Sequence, residues 1–180
     1  MIVIKNKRCS REKILQEYPD AVIIDVTSKG GPGWEELSPF YPHGGIPVPF
    51  MPGVTSMSVE GIWQGLKMFE TGGIDRESFR NDTMKNIKRT VRKNGRCLGH
   101  FGGEDKLLGY LEARQNIYVP SYFWMLENKC QKRINAIRNV MKSRTVVLLD
   151  YDTNEDIENL SKPLSHASLI KKYIETHTSE

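Results

Sequence analysis

The chain has 180 residues, 38 % of them apolar and 27 % charged, with a net charge of +4. This composition excludes a disordered or low-complexity chain and predicts one globular domain spanning residues 1–180, because two separate cores would each be small. Cys9, Cys97 and Cys130 lie far apart with no CxxC pair, a pattern expected for reduced thiols in a cytoplasmic protein and not for a disulfide framework or a structural zinc. No run approaches a membrane span and the apolar start is too short for a signal peptide, so no membrane partner is expected.

Ile2 to Ile4 predict a short strand. Ser10 is placed to cap a helix that carries Ile14, Leu15 and Tyr18 on one face, with Pro19 just beyond its end. Ala21 to Ser28, "AVIIDVTS", is a β-branched run of the buried-strand type, and it ends in the glycine-rich turn "KGGPGW". A long loop follows, stiffened by Pro39, Pro42, Pro47, Pro49 and Pro52, which exclude regular helix and a central strand. Ser58 then caps a helix predicted from about Val59 to Phe69, with "TGG" ending it. "DRESFRNDTMKNIKRTVRKNG" reads as helical up to Gly95, with Ile87 and Val91 turned inward. Residues 104–143 hold one or two helices interrupted near Pro120. Thr145 to Asp152 is the second clear strand, and Pro163 and Ser165 open a last helix. Few strands and many helices predict an α+β fold, a small sheet surrounded by several helices.

Several apparent motifs do not hold. "DYDTNEDIENLS" places Asp150, Asp152 and Asn154 at the first three ligand positions of a calcium loop, but Glu155 stands where glycine is required and Ser161 where glutamate is. A strand end with a side-chain-capped turn and a ligand-binding loop both remain open for this segment. "SKGGPGW" lacks the ending of a phosphate-binding P-loop and reads as a turn. "HFGGED", His100 to Asp105, also reads as a turn. The four histidines show no metal spacing, so no metal or cofactor is expected. The basic run Lys85 to Arg96 suits a solvated helix face or contact with phosphates; a nucleic-acid surface is the less favoured reading. Trp34, directly after the glycine turn, is the tryptophan best placed to touch a ligand.

The helix after Ser58 carries two stripes. Val59, Ile62, Trp63, Leu66 and Phe69 recur at core spacing. Glu60, Gln64 and Lys67 share a second face. That face either looks at water or lines a pocket beneath the proline loop. Phe40, Tyr41 and Phe50 on the loop offer rings that stack on a base or ribose, and the prolines lower the entropy lost in holding one shape.

The segments "LSPFYPHGGIPVPF" and "SMSVEGIWQGLK" resemble the signature of the NADAR (YbiA-like) superfamily. Ser38, Phe40, Tyr41 and Pro42 match its first part, and Ser58, Glu60, Gln64 and Lys67 match its second. Pro39 replaces the family's asparagine, which bears on substrate identity, and Gly61 replaces its histidine. Farther on, Trp124, the strand ending at Asp150 and Asp152, and "PLSHASLIKKYI" with Ser165 and His166 resemble later family elements, while the family's Trp-Gly pair is absent. The resemblance implies a NADAR-like fold and an N-glycosidase that needs no metal and hydrolyses the ribose C1–N bond of a nucleotide or ADP-ribose derivative. Such cleavage passes through an oxocarbenium-like cation, which a carboxylate near C1 stabilises. Glu60 is the candidate carboxylate, expected to stay ionised at a helix N-terminus. Asp152 is the candidate second acid or ribose-hydroxyl acceptor. Lys67 and Lys29 are candidates to hold phosphate, with Asp150, Asn154 and His166 as further ligand contacts; a bond to its own backbone is the other reading of His166. The alternative is a nucleotide- or ADP-ribose-binding protein without catalysis.

Overall fold

The computed structural model describes residues 1–104 and 106–177; Asp105, the end of the turn expected at 100–105, lies outside them. The chain forms two compact units. One is Met1–Ser38 together with the chain from Leu126 onward, and the other is Pro39–Met125. Both combine short strands and helices, a mixed α/β construction with small sheets.

In the first unit, β1 (Ile2–Asn6), β2 (Val22–Asp25) and β8 (Val146–Asp150) form a parallel sheet in the order β1-β8-β2, with Ile2 and Val22 both in register with Val146. The run "VVLL" on β8 is continuous because this central strand is covered on both faces. Val147 packs on Ile14 of α1 (Arg11–Glu17) and on Ala21. The opposite face, bearing Val146, Leu148 and Asp150, receives α7 (Gln131–Met141) and α8 (His166–Thr176). The expected caps form: Ser10 Oγ accepts from the Lys13 N–H and Ser165 Oγ from the Ser168 N–H.

The second unit holds the hairpin β3 (Ile46–Pro47) with β4 (Thr55–Ser56), then α2 (Val59–Gly65), and the antiparallel sheet β5 (Lys67–Phe69), β6 (Cys97–Phe101) and β7 (Leu107–Leu108). Short helices α3 (Arg76–Arg80), α4 (Val91–Asn94) and α5 (Tyr110–Ala113) fill the connections, and a π-turn over Arg114–Tyr118 leads into α6 (Val119–Lys129). The wider turn falls just ahead of Pro120, whose missing N–H cannot continue an ordinary ladder.

His100 and Phe101, expected in a turn, belong to β6, and two expectations about helices also fail here. The helix from Ser58 stops at Gly65 and not near Phe69, and Lys67 to Phe69 become a strand because β6 supplies a partner. Residues 75–95 do not form one helix. Asn81 Oδ1 accepts from the backbone and hydroxyl of Thr83 and its amide donates to the Lys85 carbonyl, so polar side chains take over the bonds a helix would need. Met84 and Asn86 then adopt positive φ. Ile87 is buried as expected, but Val91 is 64 % exposed.

Candidate functional site

Helix α2 is buried on three faces, and each has a different reason. Val59, Ile62 and Leu66 enter the core. Gly61 and Gly65 form a bare face against α3. A Cβ on Gly61 would stand 2.5 Å from the Ser78 carbonyl oxygen and 2.8 Å from Ser56 Oγ, and one on Gly65 would overlap the Phe79 ring. Glycine where the resembling signature has histidine therefore follows from packing at this position. The third face carries Glu60 and Gln64, 7 % and 3 % exposed, which excludes the water-facing alternative.

Glu60 sits in the first turn of α2, below Ser58, whose hydroxyl accepts from the Gly61 N–H at 2.9 Å. The proline loop crosses at this point, with the Pro39 carbonyl accepting from the Glu60 N–H at 2.8 Å. Gln64 Nε2 donates to Glu60 Oε1 at 2.7 Å. Gln64 Oε1 accepts from the Arg89 N–H at 3.0 Å, which fixes the amide orientation. The Arg89 guanidinium binds the carbonyls of Gln64 (3.2 Å) and Lys67 (2.6 Å), tying the end of α2 to the start of β5. Burial pushes the Glu60 carboxyl above the usual range, opposed by the Gln64 bond and the charges of Lys67 and Lys88. Desolvation thus outweighs the helix N-terminus, contrary to the expectation of a plainly ionised group.

Lys67, half-buried, stands directly opposite His100 in the β5–β6 register, so both side chains leave the same face of the sheet. Burial lowers the Lys67 ammonium, against the pull of Glu60. His100 lies with its ring centroid 4.0 Å from that of Trp63, which also meets Tyr110 and Tyr118 at 5.9 and 5.6 Å. Burial, then the Lys67 charge, lowers His100 to about 4. The Trp63 backbone hydrogen-bonds the ring, and buried Nε2 has no partner among the described residues. A neutral imidazole in that position presents a free acceptor. Phe40 lies beneath Lys88 Nζ, 5.9 Å from the ring centroid, and Tyr41 tilts against His43 at 4.7 Å. Phe50 is 42 % exposed with φ of 63° and does not join this wall.

The remaining sequence candidates belong to the first unit. Asp150 ends β8 and accepts from four groups: Ser165 Oγ (2.7 Å), the Ala167 N–H (3.2 Å), the Tyr151 N–H (2.7 Å) and His166 Nδ1 (3.0 Å). His166 Nε2 reaches the Val26 carbonyl at 2.8 Å. A carbonyl and a carboxylate both need a donor, so the ring is an imidazolium. Burial works to lower the His166 pKa, but Asp150 outweighs it and raises it; the His166 charge likewise holds Asp150 low against burial. Asn154 bonds the Asn159 and Lys162 carbonyls through its amide and accepts from the Asp156 N–H, the side-chain-capped turn weighed for this segment. Among the described residues no hydrogen bond or ion pair engages the half-buried Asp152 side chain. The Lys29 N–H donates to Thr27 Oγ1. Trp34 lies under the Arg133 guanidinium (5.6 Å), and Arg133 forks onto Glu36 at 3.0 and 3.1 Å. Gly33, at φ of 86°, leaves the space that this guanidinium fills.

The structure therefore groups Glu60, Gln64 and Lys67 and adds His100, Lys88 and Arg89, which the sequence reading did not select. Only the pairing of β5 with β6 brings His100 beside Lys67, and a strand of three residues leaves no periodic signal. Among the described residues no group of three or more potential ligands is placed to hold a metal ion, and no helix is long and apolar enough to cross a membrane. No curated protein matches the chain. A family model matches residues 6–170. That match spans nearly the whole chain, which belongs to a family of unknown function (DUF6939).

Proposed function

We propose that the chain is an N-glycosidase that hydrolyses the ribose C1–N bond of a nucleotide or ADP-ribose derivative, with Glu60 as the group facing C1. One observation carries the reading: Glu60 is a buried carboxylate with, among the described residues, a single side-chain hydrogen bond, flanked by Lys67 and Lys88. Such a group keeps unspent capacity for a developing cation and for the water that attacks it. Water oxygen bonds to C1 as Glu60 takes the water's proton, the C1–N electron pair leaves with the base, and the base is protonated from solvent, to which Glu60 returns its proton. Phe40 and Tyr41 stack on planar parts of the ligand, and Lys67 faces its anionic part. The likeness of the loop and α2 to the NADAR signature supports the same reading, and the three free thiols suit a reducing, cytoplasmic setting.

Incubation with a panel of nucleotides and ADP-ribosylated bases, read by mass spectrometry, tests it. Wild type releases free base, and Glu60→Gln loses roughly a hundredfold or more of the rate. Unchanged base release by that variant overturns the assignment.

A second reading is binding without turnover. The side chain that bonds Glu60 among the described residues is the Gln64 amide and not a second acid, which favours a receptor for the same ligand. Calorimetric binding with every ligand recovered intact selects this reading over hydrolysis.

A further inference from the structure

A cleft of about 440 Å³ opens in the second unit between the turn after β5, α3 and the segment leading into α4, lined among others by Gly72, Asp75, Glu77, Lys88, Arg89 and Lys93. Its acidic groups are already engaged. Asp75 caps α3, accepting from the Glu77 N–H and from Ser78 Oγ, and Glu77 pairs with Arg80 at 2.7 Å. Its cations are less so. Neither Lys88 nor Lys93 has an ion-pair partner among the described residues, although Lys88 lies over Phe40. The cleft thus has a size suited to a small ligand and a surplus of free positive charge. It is also wired to α2, because Arg89 in its wall donates its N–H to Gln64, whose amide donates to Glu60.

We infer that this cleft is a site for a phosphate or diphosphate group. Its identification as the anionic end of the ligand whose sugar meets Glu60 rests on the function proposed above. Lys88 and Lys93 neutralise the anion, and Arg89, held by the carbonyls of Gln64 and Lys67, fixes the wall. The concave shape selects a compact phosphate group over an extended polynucleotide.

Titration of inorganic pyrophosphate into the full chain by calorimetry is the test. Wild type and Glu60→Gln bind it saturably, and the Lys88→Ala/Lys93→Ala double variant weakens binding about tenfold or more. Both lysines are exposed, so an unchanged thermal midpoint checks that the double variant is folded. Absence of pyrophosphate binding to wild type, or equal binding by the double variant, overturns the site. RNA binding that needs these lysines and weakens steeply with salt, without pyrophosphate binding, also overturns it and assigns the surface to nucleic acid. Pyrophosphate binding that persists while no base is released from any substrate leaves the site standing and removes the hydrolase reading.

Discussion

Asp150 and Glu60 are both buried carboxylates, 4 % and 7 % exposed, with opposite surroundings. Asp150 accepts from four donors, one of them an imidazolium, and its pKa is held low. Glu60 accepts from one side chain and is pushed up by burial. Burial alone does not mark a functional carboxylate. The distinction lies in how many acceptor positions the fold has already filled.

The sharpest break of this contrast is Asp150→Ala. It strands the His166 imidazolium and removes the acceptor of the Ala167 N–H in the first turn of α8, and removing one partner from a buried ion pair costs about 3–5 kcal/mol. Chemical denaturation followed by circular dichroism measures it. Glu60→Gln tests the other side: its folding free energy stays within about 1 kcal/mol of wild type, because the amide relieves a desolvated charge while keeping its shape.

The same pair separates by pH. His166, raised above its ordinary value near 6.5, contributes stability that is complete below that value and fades as pH rises through the folded pKa. Asp150, lowered from near 3.8, contributes stability that is complete above that value and is lost as pH falls through its folded pKa. The ion pair therefore gives its full contribution between about pH 4 and 6.5. Glu60 has the reverse slope. Its raised pKa makes wild type lose stability as pH climbs from the ordinary carboxylate value near 4.5 through the folded one. Stability–pH curves of wild type and Glu60→Gln differ over that interval, and superimposable curves refute the assignment of Glu60 as a strained, desolvated acid.

Smaller effects refine the picture. Gly65→Ala forces a methyl onto the Phe79 ring and costs about 1–3 kcal/mol by overpacking, read as a lower thermal midpoint. Ser10→Ala removes the α1 cap for about 1 kcal/mol.

Much of the first unit was legible in the sequence. Its strands are short apolar runs rich in β-branched residues and α1 and α8 carry capping serines, so local chemistry and tertiary packing agree there. The second unit was legible at α2 and its loop, where Ser58 and the prolines act locally. It was not legible where partners decide: Lys67 becomes a strand residue through pairing with His100, and the run from Asp75 to Gly95 is broken by Asn81 and Thr83 in spite of its helical composition. Of the candidate site, Glu60 and Gln64 were found through helical periodicity. His100 and Arg89 were missed because their approach depends on chain segments 25 or more residues away.

The bare face of Gly61 and Gly65 presses the helix backbone onto the Ser78 carbonyl and the buried Phe79 ring, which leave no room to yield. A helix seated in this way has no freedom to turn about its own axis, so the direction in which Glu60 points is set when the chain folds and not when a ligand arrives. Under the proposed hydrolysis, a molecule whose reactive carbon is displaced slightly must adapt to the carboxylate or be refused, and two missing methyl groups would set a narrow substrate choice.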